Sequence, residues 1–208
     1  MQRIVIVDYG MANLRSVQKA FEKVGFAAEI TGDPSRVGEA DKLVLPGVGA
    51  FRDAITRLRE AGFVQPITEH VHAGKPFLGI CLGLQLLFES STELGGARGL
   101  GLMEGRVDRL TAGEEKLPQI GWNGVTWIAQ SPLIEGLPNP CPMYHVHTYA
   151  VQASHVLGTA TYGAEFVTAI ARPPLYGVQF HPEKSGPHGL RLLANFTRIC
   201  AGALRRAA

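Results

Sequence analysis

Thiols are scarce in this sequence. Cys81, Cys141 and Cys200 are its three cysteines, and none lies in a Cys-x-x-Cys pair. That argues against a disulfide framework or a zinc ribbon and suits a reducing cytoplasm, the expected location. No apolar stretch reaches membrane-spanning length, so no membrane partner is expected. Met1-Gln2-Arg3-Ile4 leads straight into a strand with no charged region and long apolar run, so no signal peptide is read. Charge of one sign is also missing. The net charge is +2, with Lys and Arg scattered rather than striped, which excludes the usual electrostatic footprint of a nucleic-acid binder. There is no internal repeat, low-complexity tract or linker, and one domain over 1–208 is the simplest reading. Nor is there a Gly-x-Gly-x-x-Gly phosphate loop, so dinucleotide binding is set aside.

What is present is a core-forming composition, with 46% hydrophobic residues over 208 positions, enough for one sizeable core. Ile4-Val5-Ile6-Val7 reads as a strand buried on both faces. Helical spacing follows over Leu14–Val24, with Asn13 as its expected cap. Strands are expected at Ala27–Ile30 and Leu43–Leu45, a short helix or turn from Asp33, and helices over Phe51–Glu60 and Val64–Ala73. Strands alternating with helices predict an α/β fold with a mostly parallel open sheet flanked by helices. The second half carries short strands with Gly and Pro punctuation: 105–110, 124–128, 143–146, 156–162, 167–171 and 175–180. These predict extra antiparallel or mixed pairing. Ser90–Gly101 is read as a loop, and Gly189–Leu204 as a closing amphipathic helix burying Leu192, Leu193, Phe196 and Ile199.

Three segments carry the chemistry. In Gly79-Ile80-Cys81-Leu82-Gly83, a nucleophile sits between glycines after an expected strand and before a helix read over Leu84–Glu89. That is the layout of a nucleophile elbow, with the helix N-terminus favouring a thiolate and the Leu82 N–H placed as an oxyanion donor. A small buried cysteine between packing glycines is the bland alternative. His181-Pro182-Glu183 follows a late apolar strand, and in extended backbone His181 and Glu183 share a face. The pair can serve as acid–base and orienter; a solvated turn is the alternative, and a zinc site is weaker because Cys-His-Glu is not a usual closed set. Pro46-Gly47-Val48-Gly49 ends an earlier strand, where ligands of open α/β sheets bind. The Val48 N–H is the expected second oxyanion donor. Val48 is β-branched, which disfavours positive φ, while its flanking glycines permit the peptide to rotate. Two states are therefore expected, one with that N–H turned away.

Gly-Ile-Cys-Leu-Gly-Leu-Gln with His-Pro-Glu-Lys resembles the class I, triad-type glutamine amidotransferases. Further matches are Pro-Gly-Val-Gly-Ala-Phe at 46–51, Asp-Tyr-Gly-Met-Ala-Asn-Leu-Arg-Ser at 8–16, Leu-Pro-Gln-Ile-Gly-Trp-Asn at 117–123 and His-Val-His-Thr-Tyr at 145–149. They narrow the resemblance to the glutaminase subunits of imidazole glycerol phosphate synthases, in histidine biosynthesis. It runs from Ile4 to Phe196. An anthranilate or aminodeoxychorismate amidotransferase would be expected to carry Pro-Gly-Gly, a degenerate scaffold would lack the Cys or His, and nothing points to a peptidase groove.

The resemblance implies glutamine hydrolysis through a thioester on Cys81, with His181 as acid–base, Glu183 as its orienter and no cofactor or metal. Val48 and Leu82 would form the oxyanion hole, and Gly49, Gln85, Thr148 and Tyr149 would hold glutamine. The ammonia would pass to a cyclase, a (β/α)₈ barrel, in a heterodimer, with Asn13, Trp122, Asn123 and Lys184 facing it. The cyclase would use it to make imidazole glycerol phosphate and an aminoimidazole carboxamide ribotide. Relatives usually carry His before the residue matching Ile120; here it is Gln119, which cannot titrate near neutrality.

Overall fold

The computed structural model describes residues 2–201. Strand β1 (Ile4–Val7) is buried on both faces and pairs in parallel with β2 (Ala28–Thr31) and β3 (Lys42–Gly47). Helix α1 (Leu14–Lys23) bridges β1 and β2, while α2 (Phe51–Glu60) and α3 (Val64–His72) bridge β3 and β4 (Phe77–Cys81). Then come the single-turn α4 (Leu82–Gln85), β5 (Phe88–Ser91) and β6 (Ala97–Arg98). The rest of the chain gives β7 (Met103–Arg109), β8 (Gln119–Trp127), β9 (Cys141–His147), β10 (Tyr149–Gln152), β11 (Val156–Tyr162), β12 (Ala164–Arg172), β13 (Leu175–Val178) and α5 (Gly186–Arg198).

The sheet runs β2-β1-β3-β4-β13-β12-β10-β7-β5-β6, with β11, β8 and β9 as an antiparallel branch. Its five-strand segment from β2 to β13 is parallel. Successive side chains of a strand point to opposite faces, so each core layer takes alternate residues. Ile4, Ile6, Val44 and Leu78 pack with Phe21 of α1 and Leu192, Leu193 and Phe196 of α5. Val5, Val7, Leu43 and Leu45 pack with Phe51, Ile55 and Leu58 of α2 and with Phe63 and Ile67. The α/β architecture and the four inward residues of the closing helix are as expected, including Ile199 just past its end. That helix begins at Gly186 and ends at Arg198; Leu204 lies outside the described residues.

Three expectations are corrected. Leu84–Glu89 is not a helix: after one turn at 82–85 the chain enters β5 at Phe88. Leu84, Leu86, Leu87 and Phe88 are all fully buried, so this run has no wet face to fix a helical period, and strand pairing with β6 and β7 wins. The segment 90–101, read as a loop, contains β6 and a 3₁₀ turn over Glu93–Gly95. Asn13 occupies the position before α1, but its side chain makes no capping hydrogen bond. Among the described residues, no helix is long and apolar enough to cross a membrane.

Candidate active site

Three adjacent parallel strands, β3, β4 and β13, deliver the chemistry side by side. Gly47 is in register with Cys81, and Val178, three residues before His181, with Ile80. The site thus lies beyond the carboxyl ends of the strands, as expected for an open α/β sheet.

Cys81 itself has φ 55° and ψ −112°. Cysteine rarely adopts this conformation, and strained backbone of this kind holds a side chain out from a tight turn. The flanking glycines act by closeness rather than by their own φ. A Cβ on Gly79 would lie 2.7 Å from the Gly83 carbonyl oxygen, and one on Gly83 would collide with the carbonyl oxygen of Leu45. Since backbone cannot step aside cheaply, Gly83→Ala is expected to cost about 1–3 kcal/mol. Denaturant unfolding reads this directly; unchanged stability would mean the elbow tolerates a wider turn. With α4 reduced to one turn, little macrodipole is available to Cys81, so the thiolate must draw its stabilisation from neighbouring side chains.

His181 is that neighbour. Its Nδ1 pairs with Glu183 Oε1 at 2.9 Å, and both side chains are nearly inaccessible. The bond arises not in extended backbone but across a 3₁₀ turn at Pro182–Lys184, started by Pro182. With Nδ1 engaged, Nε2 is left for Cys81, which shares a cavity wall with His181. Burial acts to lower the His181 pKa, but hydrogen bonds and charge from Cys81 and Glu183 outweigh it and push it up to about 10. His181 is therefore an imidazolium at neutral pH, paired with the sulfur on one side and a carboxylate on the other.

A cavity of about 380 Å³ opens over this pair. Its wall includes Val48, Gly49, Leu82, Gln85, Thr148, Tyr149 and Lys184, so the expected substrate and oxyanion residues converge. Glu93, Pro118, Val146 and His147 complete it. Glu93 escaped the sequence reading because it sits in a segment taken as loop; its Oε2 also accepts from Phe51 N–H at 2.7 Å, which joins that segment to the start of α2. A larger cleft, about 710 Å³, lies over Trp127–Asn139 and is lined by neither Cys81 nor His181.

Two of the expected site residues are already hydrogen-bonded within the chain. The Val48 N–H donates to the Met11 carbonyl at 3.0 Å, so it is turned away from the cavity and is not free as an oxyanion donor. Gln85 is buried, and both its N–H bonds are spent: Nε2 donates to Tyr149 O at 3.0 Å and to Gln179 Oε1 at 2.9 Å. Toward a ligand it can offer only its Oε1 acceptor. His145 and His147 are neutral, burial lowering them to about 3 and about 4 with help from neighbouring histidine charge. The His147 ring is anchored at Nδ1 on Tyr149 O, 2.9 Å away, which braces the turn carrying Thr148.

Beside the cavity lies an exposed face. Asn13, Val48 and Lys184 border one small recess with His181 and Glu183. The Lys184 Nζ is 6.0 Å from the centroid of the Tyr144 ring, and Tyr144 meets Trp122 edge-on at 6.0 Å. Trp122 is 58% exposed and Ile120 63%, so Trp122 is not a core residue. Asn123 instead bonds the Thr161 carbonyl at 2.9 Å. Gln119 is buried beneath this face, opposite His147 in the β8–β9 ladder.

A strained cysteine beside a buried His–Glu dyad, at the carboxyl edge of a parallel sheet, is an arrangement suited to nucleophilic chemistry. The glutamine amidotransferase class-I family matches residues 5–200, and the chain belongs to it. Curated relatives described as imidazole glycerol phosphate synthase subunit HisH are similar nearly end to end. That of Syntrophotalea carbinolica is 52% identical, over 93% of this chain and 98% of the relative; that of Aquifex aeolicus is 51% identical, over 94% and 96%. The fold is also that of PurLQS from Thermotoga maritima, with TM-score 0.76 and 18% identity over 94% of this chain and 97% of that one. A putative GMP synthase component from Thermoplasma acidophilum gives TM-score 0.71 and 22% identity over 94% and 92%.

Proposed function

We propose that the chain is the glutamine amidotransferase subunit of an imidazole glycerol phosphate synthase in histidine biosynthesis, and that Cys81, His181 and Glu183 carry its chemistry. The relatives at about half identity support the assignment, and the observation that carries the chemistry is Cys81 at φ 55° sharing one cavity with a His181 held by Glu183. The thiolate attacks the side-chain amide carbon of glutamine. As the C–N bond breaks, His181 gives its proton to the departing ammonia, leaving a glutamyl thioester. Neutral His181 then takes a proton from water, the hydroxide adds to the thioester, and glutamate and the thiolate are released. The Glu93 carboxylate and the Gln85 acceptor suit the α-ammonium of the substrate. No cofactor enters this scheme, and the reducing cytoplasm suits its free thiol.

The ammonia then passes to a cyclase partner, a (β/α)₈ barrel in a heterodimer, on the face of Asn13, Trp122, Asn123 and Lys184. An exposed Trp with a cation nearby is a common interface anchor. The test measures glutamate release by the chain alone, with the cyclase, and with the cyclase and its nucleotide substrate. Since the Val48 N–H is committed to Met11 O, the chain alone is expected to be slow. Freeing one oxyanion donor is worth roughly 10²–10³ in rate, and the loaded partner need supply only the matching difference in binding energy. Val48→Gly should raise the unstimulated rate, because glycine carries no penalty in the rotated state. Equal rates in the three mixtures would sink the gating; no glutamate in any of them would sink the function.

A further inference from the structure

We propose that Gln179 is a positioning residue that donates a hydrogen bond to the Cys81 sulfur and ties its charge state to Gln85. This rests on Cys81 being the nucleophile and adds a residue that the triad does not include. Gln179 is fully buried at the end of β13, with its backbone N–H fixed to Thr168 O at 2.8 Å.

The orientation of its amide follows from the network. Tyr149 O can only accept, so the Gln85 atom facing it at 3.0 Å is the NH₂ group. That group also faces Gln179 at 2.9 Å, so the Gln179 atom there is oxygen. The remaining Gln179 terminus, 3.7 Å from Cys81 Sγ, is therefore an N–H donor. Flipping either amide sets like groups against each other. The Val146 carbonyl lies 3.8 Å from the same sulfur and can pair only with the protonated thiol. Gln179 thus favours the anion where Val146 favours the thiol, and a hydrogen bond to a charged acceptor is the stronger kind. Each amide in the chain Tyr149 O–Gln85–Gln179–Sγ polarises the next. A ligand that accepts or releases Gln85 is felt at the sulfur without touching it.

The experiment follows iodoacetamide alkylation of Cys81 against pH by mass spectrometry, beside glutaminase kinetics with the partner. The other ionisable groups facing the sulfur or its cavity are Tyr9, Glu93, His147, Tyr149, His181, Glu183 and Lys184, and all stay unchanged. Gln179→Met keeps volume and removes the donor. It is expected to raise the alkylation midpoint by about one pH unit and to lower kcat roughly 10–100-fold, with KM changed much less. The circular dichroism spectrum and co-purification with the partner should be unaltered, reporting an intact fold. A midpoint within about 0.2 unit of the unaltered chain overturns the proposal, even if activity falls, because lost packing alone leaves the thiol's titration in place. Should Gln179→Met not fold, the uncharged Gln179→Leu is read by the same criterion. In the unaltered chain, the Gln179 side-chain amide resonances should shift with the alkylation midpoint; no shift also overturns it. If instead alkylating Cys81 in the unaltered chain leaves glutamate release intact, the nucleophile assignment fails and the proposal with it.

Discussion

Cys81→Ser should remove glutamine-dependent synthesis, by at least about 10⁴-fold, while synthesis fed by free ammonia continues with the same partner. The size follows from what the site is built around. Burial acts to lower the His181 pKa, but hydrogen bonds and charge from Cys81 and Glu183 push it up to about 10. A serine hydroxyl is far less acidic than a thiol, so it forms no anion beside His181, and with the sulfur gone part of what raises the His181 pKa goes too. Nucleophile and base would fail together rather than each by a part. The substitution removes no bulk and leaves the exposed face at Asn13, Trp122 and Lys184 untouched, so docking should survive. Glutamate release is the direct readout. Release at the unaltered rate would return Cys81 to the other reading of its pentapeptide, a small residue packed between glycines.

The three chemical loops were legible because each ends a parallel strand, and a parallel strand announces itself as an apolar run closed by glycine or proline. Lys42–Gly47, Phe77–Cys81 and Leu175–Val178 are such runs. Legibility failed where burial on all sides erased the period, as at Leu84–Phe88, and where the sheet claimed short polar stretches. Tyr149–Gln152 became a strand through pairing with β7 and β12, partners distant in sequence. The Val48 N–H could be anticipated to have two states, but not that Met11 O would hold one of them. Glu93 and Gln179 were missed for opposite reasons: one lies in a segment that read as loop, the other in a strand that read as core. Neither role has a local signature, since each depends on which atoms the fold brings within 4 Å.

Loss of the His181 ring is the second large effect, and its pH signature separates it from simple damage. For His181→Asn, glutaminase activity is expected to fall on the order of 10²–10⁴-fold, the usual contribution of one acid–base group. Glu183→Gln should cost much less, because Glu183 orients and charges the ring without touching the substrate. In the unaltered chain the folded pKa of His181 is raised above its ordinary value of 6.5 to about 10. A raised pKa means that the folded state binds the proton more tightly. The pairing therefore stabilises the fold fully below about pH 6.5 and loses that contribution as pH rises toward 10. His181→Asn should flatten this alkaline limb of an unfolding titration and leave the neutral-to-acid side governed by other groups. It should also slow neutral-pH alkylation of Cys81, since the sulfur would lose the cation that favours its anion, with only Gln179 remaining to donate. An unaltered limb and unaltered alkylation would mean that His181 and Glu183 pair only with each other, and that the sulfur is activated by some other group.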